Sequence, residues 1–159
     1  MPAAESTAFR MAVPEDADAI LKLLGKPAED GLILPRTRTE ITALLGCFIV
    51  AESDGHVVGC VTLKDYGSGL YEIRSLVVEP CASGQGIGSR LVDEAVYLAR
   101  SCGAERVFAL TYRPHLFERL AFHRVNKSMF PQKVWDDCSR CPKRQNCDET
   151  ALLLNCDAA

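Results

Sequence analysis

Apolar positions fall into two periods along this chain. Ala17, Ile20, Leu23 and Leu24 recur at three- and four-residue steps, which predicts an amphipathic helix over 15–25. Pro14-Glu15-Asp16 suits its start, because a missing N–H and nearby negative charge both fit a helix N-terminus. Gly25-Lys26-Pro27 predicts its end. A second stripe, Leu91, Ala95, Leu98, Ala99 and Cys102, predicts a helix over 89–101 that Gly103 terminates. Short apolar runs predict strands over 9–13, 48–52, 57–63, 71–78 and 106–112. Ser53-Asp54-Gly55 is hairpin-turn chemistry between the second and third of these, and 65–69 is another turn. Residues 26–38 read as an irregular connection carrying Arg36 and Arg38. A short helix follows over 39–45 with Thr39 as its cap, then another over 114–120. A final core strand is expected over 122–129, with 151–154 returning at an edge. A helix-rich start, an antiparallel meander and a strand–helix–strand–helix–strand ending imply one mixed α/β sheet, not a doubly wound one.

Composition narrows the class. The 159 residues are 48% hydrophobic and 25% charged, which fits a single globular domain over 1–159. Its core is expected over about 8–129, followed by a Cys-rich extension over 130–159. The net charge of −3 argues against a general nucleic-acid binder. No apolar run approaches the ~18 residues that cross a bilayer. The first ten residues lack a basic stretch followed by an apolar one. Several of the eight Cys lie in apolar or helical runs, so a cytoplasmic protein with reduced thiols is expected.

The segment Leu76-Val77-Val78-Glu79-Pro80-Cys81-Ala82-Ser83-Gly84-Gln85-Gly86-Ile87-Gly88-Ser89 takes a strand into a glycine-rich turn that opens a helix. Such a turn lets main-chain N–H groups point at a phosphate, and the helix dipole favours the same charge. The dinucleotide pattern fails because Ser89 stands at its sixth position, and no Gly-Lys-Ser/Thr is present for a P-loop. The glycines alone leave a structural turn open as well.

The stretch resembles the acetyl-CoA motif of the GNAT N-acetyltransferase superfamily, Arg/Gln-x-x-Gly-x-Gly/Ala, matched here by Ser83 to Gly88. The strand Ile73-Arg74-Ser75-Leu76-Val77-Val78 and the later Leu116-Phe117-Glu118-Arg119-Leu120-Ala121-Phe122 are similar to further superfamily segments. The resemblance implies a mostly antiparallel sheet with a splayed parallel pair and flanking helices. It also implies that acetyl-CoA is held by the main chain of Leu76, Val77 and Val78 and by Ser83, Gly84, Gln85, Gly86, Ile87, Gly88 and Ser89. Three positions depart from the pattern. Ser83 replaces Arg or Gln, leaving backbone N–H groups and Arg90 to support the diphosphate. Phe117 stands where many members carry the tyrosine that protonates the leaving thiolate. Ala121 replaces a common glycine.

The chain also resembles short, single-domain bacterial N-acetylglutamate synthases. The residues that carry this are Asp30 to Arg36, Tyr71 to Val78, Leu110-Thr111-Tyr112, and Lys133-Val134-Trp135-Asp136-Asp137-Cys138 with Cys141-Pro142. This implies acetyl transfer from acetyl-CoA to the α-amino group of L-glutamate, the first step of arginine biosynthesis. The amine must be neutral to attack, so a base is needed, directly or through water. Glu72 is the candidate, although a strand glutamate can instead simply pair with Arg74. In an ideal strand Glu72, Arg74, Leu76 and Val78 share one face, and a bulge would change that phase. Tyr112 or water would protonate the thiolate. A backbone N–H near Leu76 to Val78 could steady the oxyanion. Arg36, Arg74 and Lys133 are the candidates for the substrate's carboxylates, which suit cationic forks. Cys138, Cys141 and Cys147 raise a structural zinc site, with Cys156, Asp148, His123 or His115 as fourth ligand; no metal is assigned. Another amine substrate, a catalytically silent acetyl-CoA-binding module and a homodimer all stay open. No nucleic-acid or membrane partner is expected.

Overall fold

The computed structural model describes residues 7–129 and 149–156. Their strands are β1 (Thr7–Met11), β2 (Phe48–Ser53), β3 (His56–Asp65), β4 (Leu70–Val78), β5 (Arg106–Thr111), β6 (His123–Val125) and β7 (Thr150–Asn155). They form one sheet in the order β1-β2-β3-β4-β5-β7-β6. Only β4 and β5 run parallel; the other neighbours are antiparallel. The helices are α1 (Ala17–Glu29), α2 (Arg38–Ala43), α3 (Ile87–Ser101) and α4 (Pro114–Glu118). This is the mixed α/β sheet that the element order implies, with the one parallel pair that the resemblance implies.

Both faces of the sheet are covered, which explains why its central strands read as continuous apolar runs. Phe48 and Val50 of β2 pack with Ile20 and Leu24 of α1 and Ile41 of α2. Their neighbours Ile49 and Ala51 join Leu91, Val92 and Ala95 of α3 on the other face. Phe108 of β5 turns away from that second cluster and joins Tyr66, Leu70, Ala151 and Leu153. Among the described residues no helix is long and apolar enough to cross a membrane.

Four expectations change. First, α1 continues through Gly25 and Pro27 to Glu29. Pro27 lies in the last turn, and the helix closes where Gly31 N donates to Ala28 O and Leu32 N to Pro27 O. Gly31 takes φ 73°, the left-handed conformation such an end requires. Secondly, α2 is capped by Thr37 and not Thr39: Glu40 N donates to Thr37 Oγ1 at 3.1 Å, and Thr37 N donates to Glu40 Oε1 at 2.9 Å. Thirdly, β1 lies at Thr7–Met11, two residues earlier than expected. Fourthly, the last two strands exchange roles. β6 is a three-residue edge whose His123 and Arg124 are exposed, while β7 is inserted between β5 and β6 with Ala151, Leu152 and Leu153 buried. Leu152 faces one core cluster and Ala151 and Leu153 the other, so both faces of β7 are buried, and it pairs with β5 on one side and β6 on the other. Residues 149–156 therefore complete the main sheet.

The entry into α1 is locked by charge. Arg10 Nη1 and Nη2 donate to Asp16 Oδ2 and Oδ1 at 2.7 and 3.0 Å, and Val13 N donates to Asp16 Oδ2 at 2.8 Å. The Arg10 hydrogen bonds, helped by the Val13 N–H, hold the Asp16 carboxyl below its ordinary value of 3.8. A carboxylate depressed on folding stabilises fully above its unfolded value, and that stability is lost as pH falls through the lower folded one. Asp16→Asn is expected to lower unfolding stability at pH 7 by about 2 kcal/mol. It should also reduce the loss of stability below pH 3.8. Urea titrations at neutral and acid pH check both.

Candidate active site

The site begins where two parallel strands stop pairing. β4 and β5 are in register only at Leu70↔Arg106, Tyr71↔Val107 and Glu72↔Phe108. β4 continues to Val78 and β5 to Thr111 without further partners on each other. A bulge lies just beyond the break. Pairing to β3 passes from Thr62↔Arg74 to Cys60↔Val77, so Ser75 and Leu76 together oppose Val61. Ser75 adopts φ 52°, left-handed for a non-glycine residue. Cys60 Sγ donates to Ser75 O at 3.6 Å, and burial pushes this thiol's pKa up to about 12, so it remains a protonated donor.

The extra residue resets which side chains share a face. Leu76 and Val78 pack with the α3 cluster alongside Tyr71 and Ile73, while Val77 joins the α1 cluster. Glu72 and Arg74 therefore do not share a face with Leu76 and Val78, contrary to the ideal-strand reading. The main chain of the diverging segment borders a cleft of about 650 Å³.

Seven of the candidate residues, Arg36, Glu72, Arg74, Leu76, Val77, Val78 and Tyr112, meet in that cleft. Glu72, Arg74, Leu76, Val77 and Val78 line it from β4, Tyr112 and Arg113 from the end of β5, and Leu116 and Phe117 from α4. Arg36 enters from the connection after α1, and Glu149 from the residue preceding β7. Glu72 is buried. Its Oε1 accepts from Tyr66 Oη at 2.7 Å and lies 3.7 Å from Arg74 Nε. An ionised carboxylate so placed is held by charge and by a hydrogen bond, which buried charges require. Tyr112 is half-buried at the cleft wall. Phe117 is buried edge-to-face on Phe122, with ring centroids 5.3 Å apart, and has no proton to give. Ala121 adopts φ 74°, which gives a physical reason for glycine at this position in the related pattern.

The residues Ser83 to Ser89 do not line the cleft; they form the adjoining mouth of α3. Gly84 and Gly86 take φ 81° and 79°, and a side chain built at either would meet nothing within 4 Å. Backbone conformation, not crowding, selects glycine there. Gly86 caps α3 without a side-chain hydrogen bond, so the first N–H groups of the helix present an anion cradle. A β-carbon at Gly88 would lie 3.7 Å from Val78 Cγ2 and 3.9 Å from Leu116 Cδ2, which sets the cradle beside the cleft. Strand edge and helix mouth together fit an extended chain of amides ending in a diphosphate. Ser83 Oγ donates to Pro80 O at 2.8 Å and closes the preceding turn. Arg90 lies at the start of α3, paired with Glu94 at 3.1 Å and placed over the Phe9 ring at 4.7 Å.

Lys133, Cys138, Cys141 and Cys147 lie outside the described residues. Among the described residues no cluster of three His, Cys, Asp or Glu could hold a metal, and Cys47, Cys60, Cys81, Cys102 and Cys156 are free thiols. Tyr66, Arg113 and Glu149 are polar residues at the site to which the sequence reading assigns no role. Tyr66 sits in an expected turn with no motif around it. Glu149 follows a polar stretch that has no periodicity.

Comparison with known proteins gives a consistent result. The model of the acetyltransferase (GNAT) family matches residues 19–125, more than half of the chain. An uncharacterized N-acetyltransferase of Chlorobaculum tepidum is 39% identical over 153 residues, covering 96% of this chain and 98% of its own. An amino-acid acetyltransferase of Mycobacterium tuberculosis is 32% identical over 133 residues, covering 82% of this chain and 76% of its own. The N-acetylglutamate synthase of Neisseria gonorrhoeae, solved with coenzyme A and N-acetyl-glutamate, superposes with a TM-score of 0.84 at 26% identity. That match covers 94% of this chain but only 35% of the synthase, so the present chain spans about a third of it.

The bulge carries a stability signature. Left-handed backbone costs an L-residue roughly 1–2 kcal/mol, and most for a branched side chain. Ser75→Gly is expected to be at least as stable as the wild type, and Ser75→Val to lose about 1–2 kcal/mol. Urea midpoints in the opposite order would show that the turn at Ser75 is not left-handed.

Proposed function

The chain belongs to the acetyltransferase (GNAT) family, and we propose that it transfers the acetyl group of acetyl-CoA to the α-amino group of L-glutamate within a ternary complex. The observation that carries this is the convergence of Arg36, Glu72 and Arg74 on the cleft bordered by the diverging β4 main chain. The similarity to an amino-acid acetyltransferase, and to a synthase solved with coenzyme A and N-acetyl-glutamate, supports the same reading.

Acetyl-CoA supplies a thioester carbonyl that a neutral amine can attack. The main chain of Leu76, Val77 and Val78 is suited to pair with the pantetheine amides as an added strand would. The N–H groups at Ile87, Gly88 and Ser89, with the loop from Ser83 to Gly86, are suited to the diphosphate. Arg36 and Arg74 offer planar cationic forks to the two carboxylates of glutamate, with Lys133 as a third candidate. Glu72 accepts one proton from the substrate ammonium, directly or through water. The amine then forms the C–N bond as the C–S bond breaks. The second proton lost by nitrogen goes to the departing thiolate, through Tyr112 or water. A cytoplasmic setting with reduced thiols belongs to this proposal.

A free-thiol assay of acetyl-CoA with single amino acids and other amines tests it. L-Glutamate is expected to be the preferred acceptor, and Glu72→Gln to lower kcat about 10²- to 10⁴-fold at saturating acetyl-CoA. Preference for a different amine would remove the glutamate assignment. Binding of coenzyme A without turnover of any amine would make the chain a silent binding module. Gly86→Val forces a branched side chain into the left-handed cap, and calorimetry is expected to show coenzyme A binding about tenfold weaker. Unchanged affinity would remove the α3 mouth from the binding site.

A further inference from the structure

Glu72 is held by a residue outside every motif in the chain. Tyr66 lies in the short connection between β3 and β4, where Tyr66 N donates to Leu70 O at 2.9 Å and Gly67 N to Asp65 Oδ1 at 2.8 Å. This closed loop directs the ring into the third core cluster, 5.8 Å from Phe108. Lys64, the β3 partner of Glu72, places its Nζ 4.8 Å from the centre of the same ring. The phenol is therefore fixed by backbone closure, an aromatic neighbour and a cation. Its hydroxyl donates to Glu72 Oε1 at 2.7 Å, and both partners are buried.

We infer that Tyr66 is a positioning residue for acetyl transfer, whose hydroxyl fixes the Glu72 carboxylate for proton acceptance at the cleft wall. The inference rests on the reading of Glu72 as the base. A carboxylate with rotatable bonds loses effectiveness when its orientation is not set, because proton transfer needs hydrogen-bond geometry at the reacting nitrogen. Arg74 Nε meets the same oxygen at 3.7 Å, a weaker constraint on direction than the 2.7 Å phenol hydrogen bond. Among the described residues, the other charged or titratable groups around Glu72 include Lys64 across the ladder, and Arg36, Tyr112, Arg113 and Glu149 around the cleft.

Tyr66→Phe keeps the ring against Phe108 and deletes only the hydroxyl. The experiment measures kcat and the pH dependence of kcat/KM for the amine at saturating acetyl-CoA, with Glu72→Gln in parallel and thermal melts of each protein. Tyr66→Phe is expected to lower kcat about tenfold or more, the loss of one hydrogen bond to a charged group. The KM for acetyl-CoA should not change. The acid limb of the profile should move to higher pH, since a carboxylate deprived of a donor is protonated more readily. Replacing Tyr66 with 3-fluorotyrosine preserves shape and strengthens the donor, and the acid limb should move the other way. A normal rate and unshifted acid limb in Tyr66→Phe, with Glu72→Gln inactive, would overturn this inference alone. So would a slower enzyme whose acid limb does not move in either variant. A Glu72→Gln enzyme at the wild-type rate would instead overturn the reading of Glu72 itself.

Discussion

The structure depends on one interrupted hydrogen-bond ladder. After Glu72, β4 and β5 cease to be partners, and the main chain of β4 runs on beside a cleft. Buried backbone polar groups need partners, so an unladdered strand edge in a fold is a binding surface waiting for complementary amides. Just beyond the interruption lies the bulge at Ser75, which is maintained by register with β3 and by the buried Cys60 thiol. It decides side-chain traffic. Glu72 and Arg74 go to one face, and Leu76 and Val78 brace α3 on the other. The bulge beside the cleft thus seats the helix whose mouth adjoins it.

Burial sets the second constraint. A carboxylate in the sheet is costly unless its charge is met. Glu72 is met by Tyr66 and Arg74 from separate chain positions, which fixes it before any substrate arrives. Asp16 solves the same problem for a structural purpose, with the fork of Arg10 holding the start of α1. The two sites use similar chemistry, but only Glu72 opens on a cleft. Around it the wall is largely apolar, from Leu34 and Leu110 to Phe117. In apolar surroundings electrostatic interactions are less screened than in water.

Much of this was legible in the residues. Ile20, Leu23 and Leu24 mark α1, the Leu91 stripe marks α3, and Gly84 and Gly86 mark a left-handed turn at a helix mouth. These signals are local, and local physics decides them. What failed was decided elsewhere in the fold. Pro27 looked like a stop, but the helix already has its packed face, and the left-handed Gly31 ends it one turn later. The order of β6 and β7 is settled by pairing between distant segments, with β7 laddered to both β5 and β6. The phase of Leu76 turns on whether the strand is bulged, an alternative left open in the sequence that Ser75 itself does not decide. Tyr66 was invisible for a similar reason: its partner Glu72 is six residues away around a closed loop.

The central claim is that the diverging edge of β4 and the mouth of α3 together receive coenzyme A. Residue-resolved amide hydrogen exchange with and without the ligand tests this most directly. The account predicts slower exchange on binding within Leu76 to Val78 and within Ile87 to Ser89, with little change in the already paired β2 and β3. Saturation with coenzyme A that leaves both segments exchanging at their unliganded rates would contradict it.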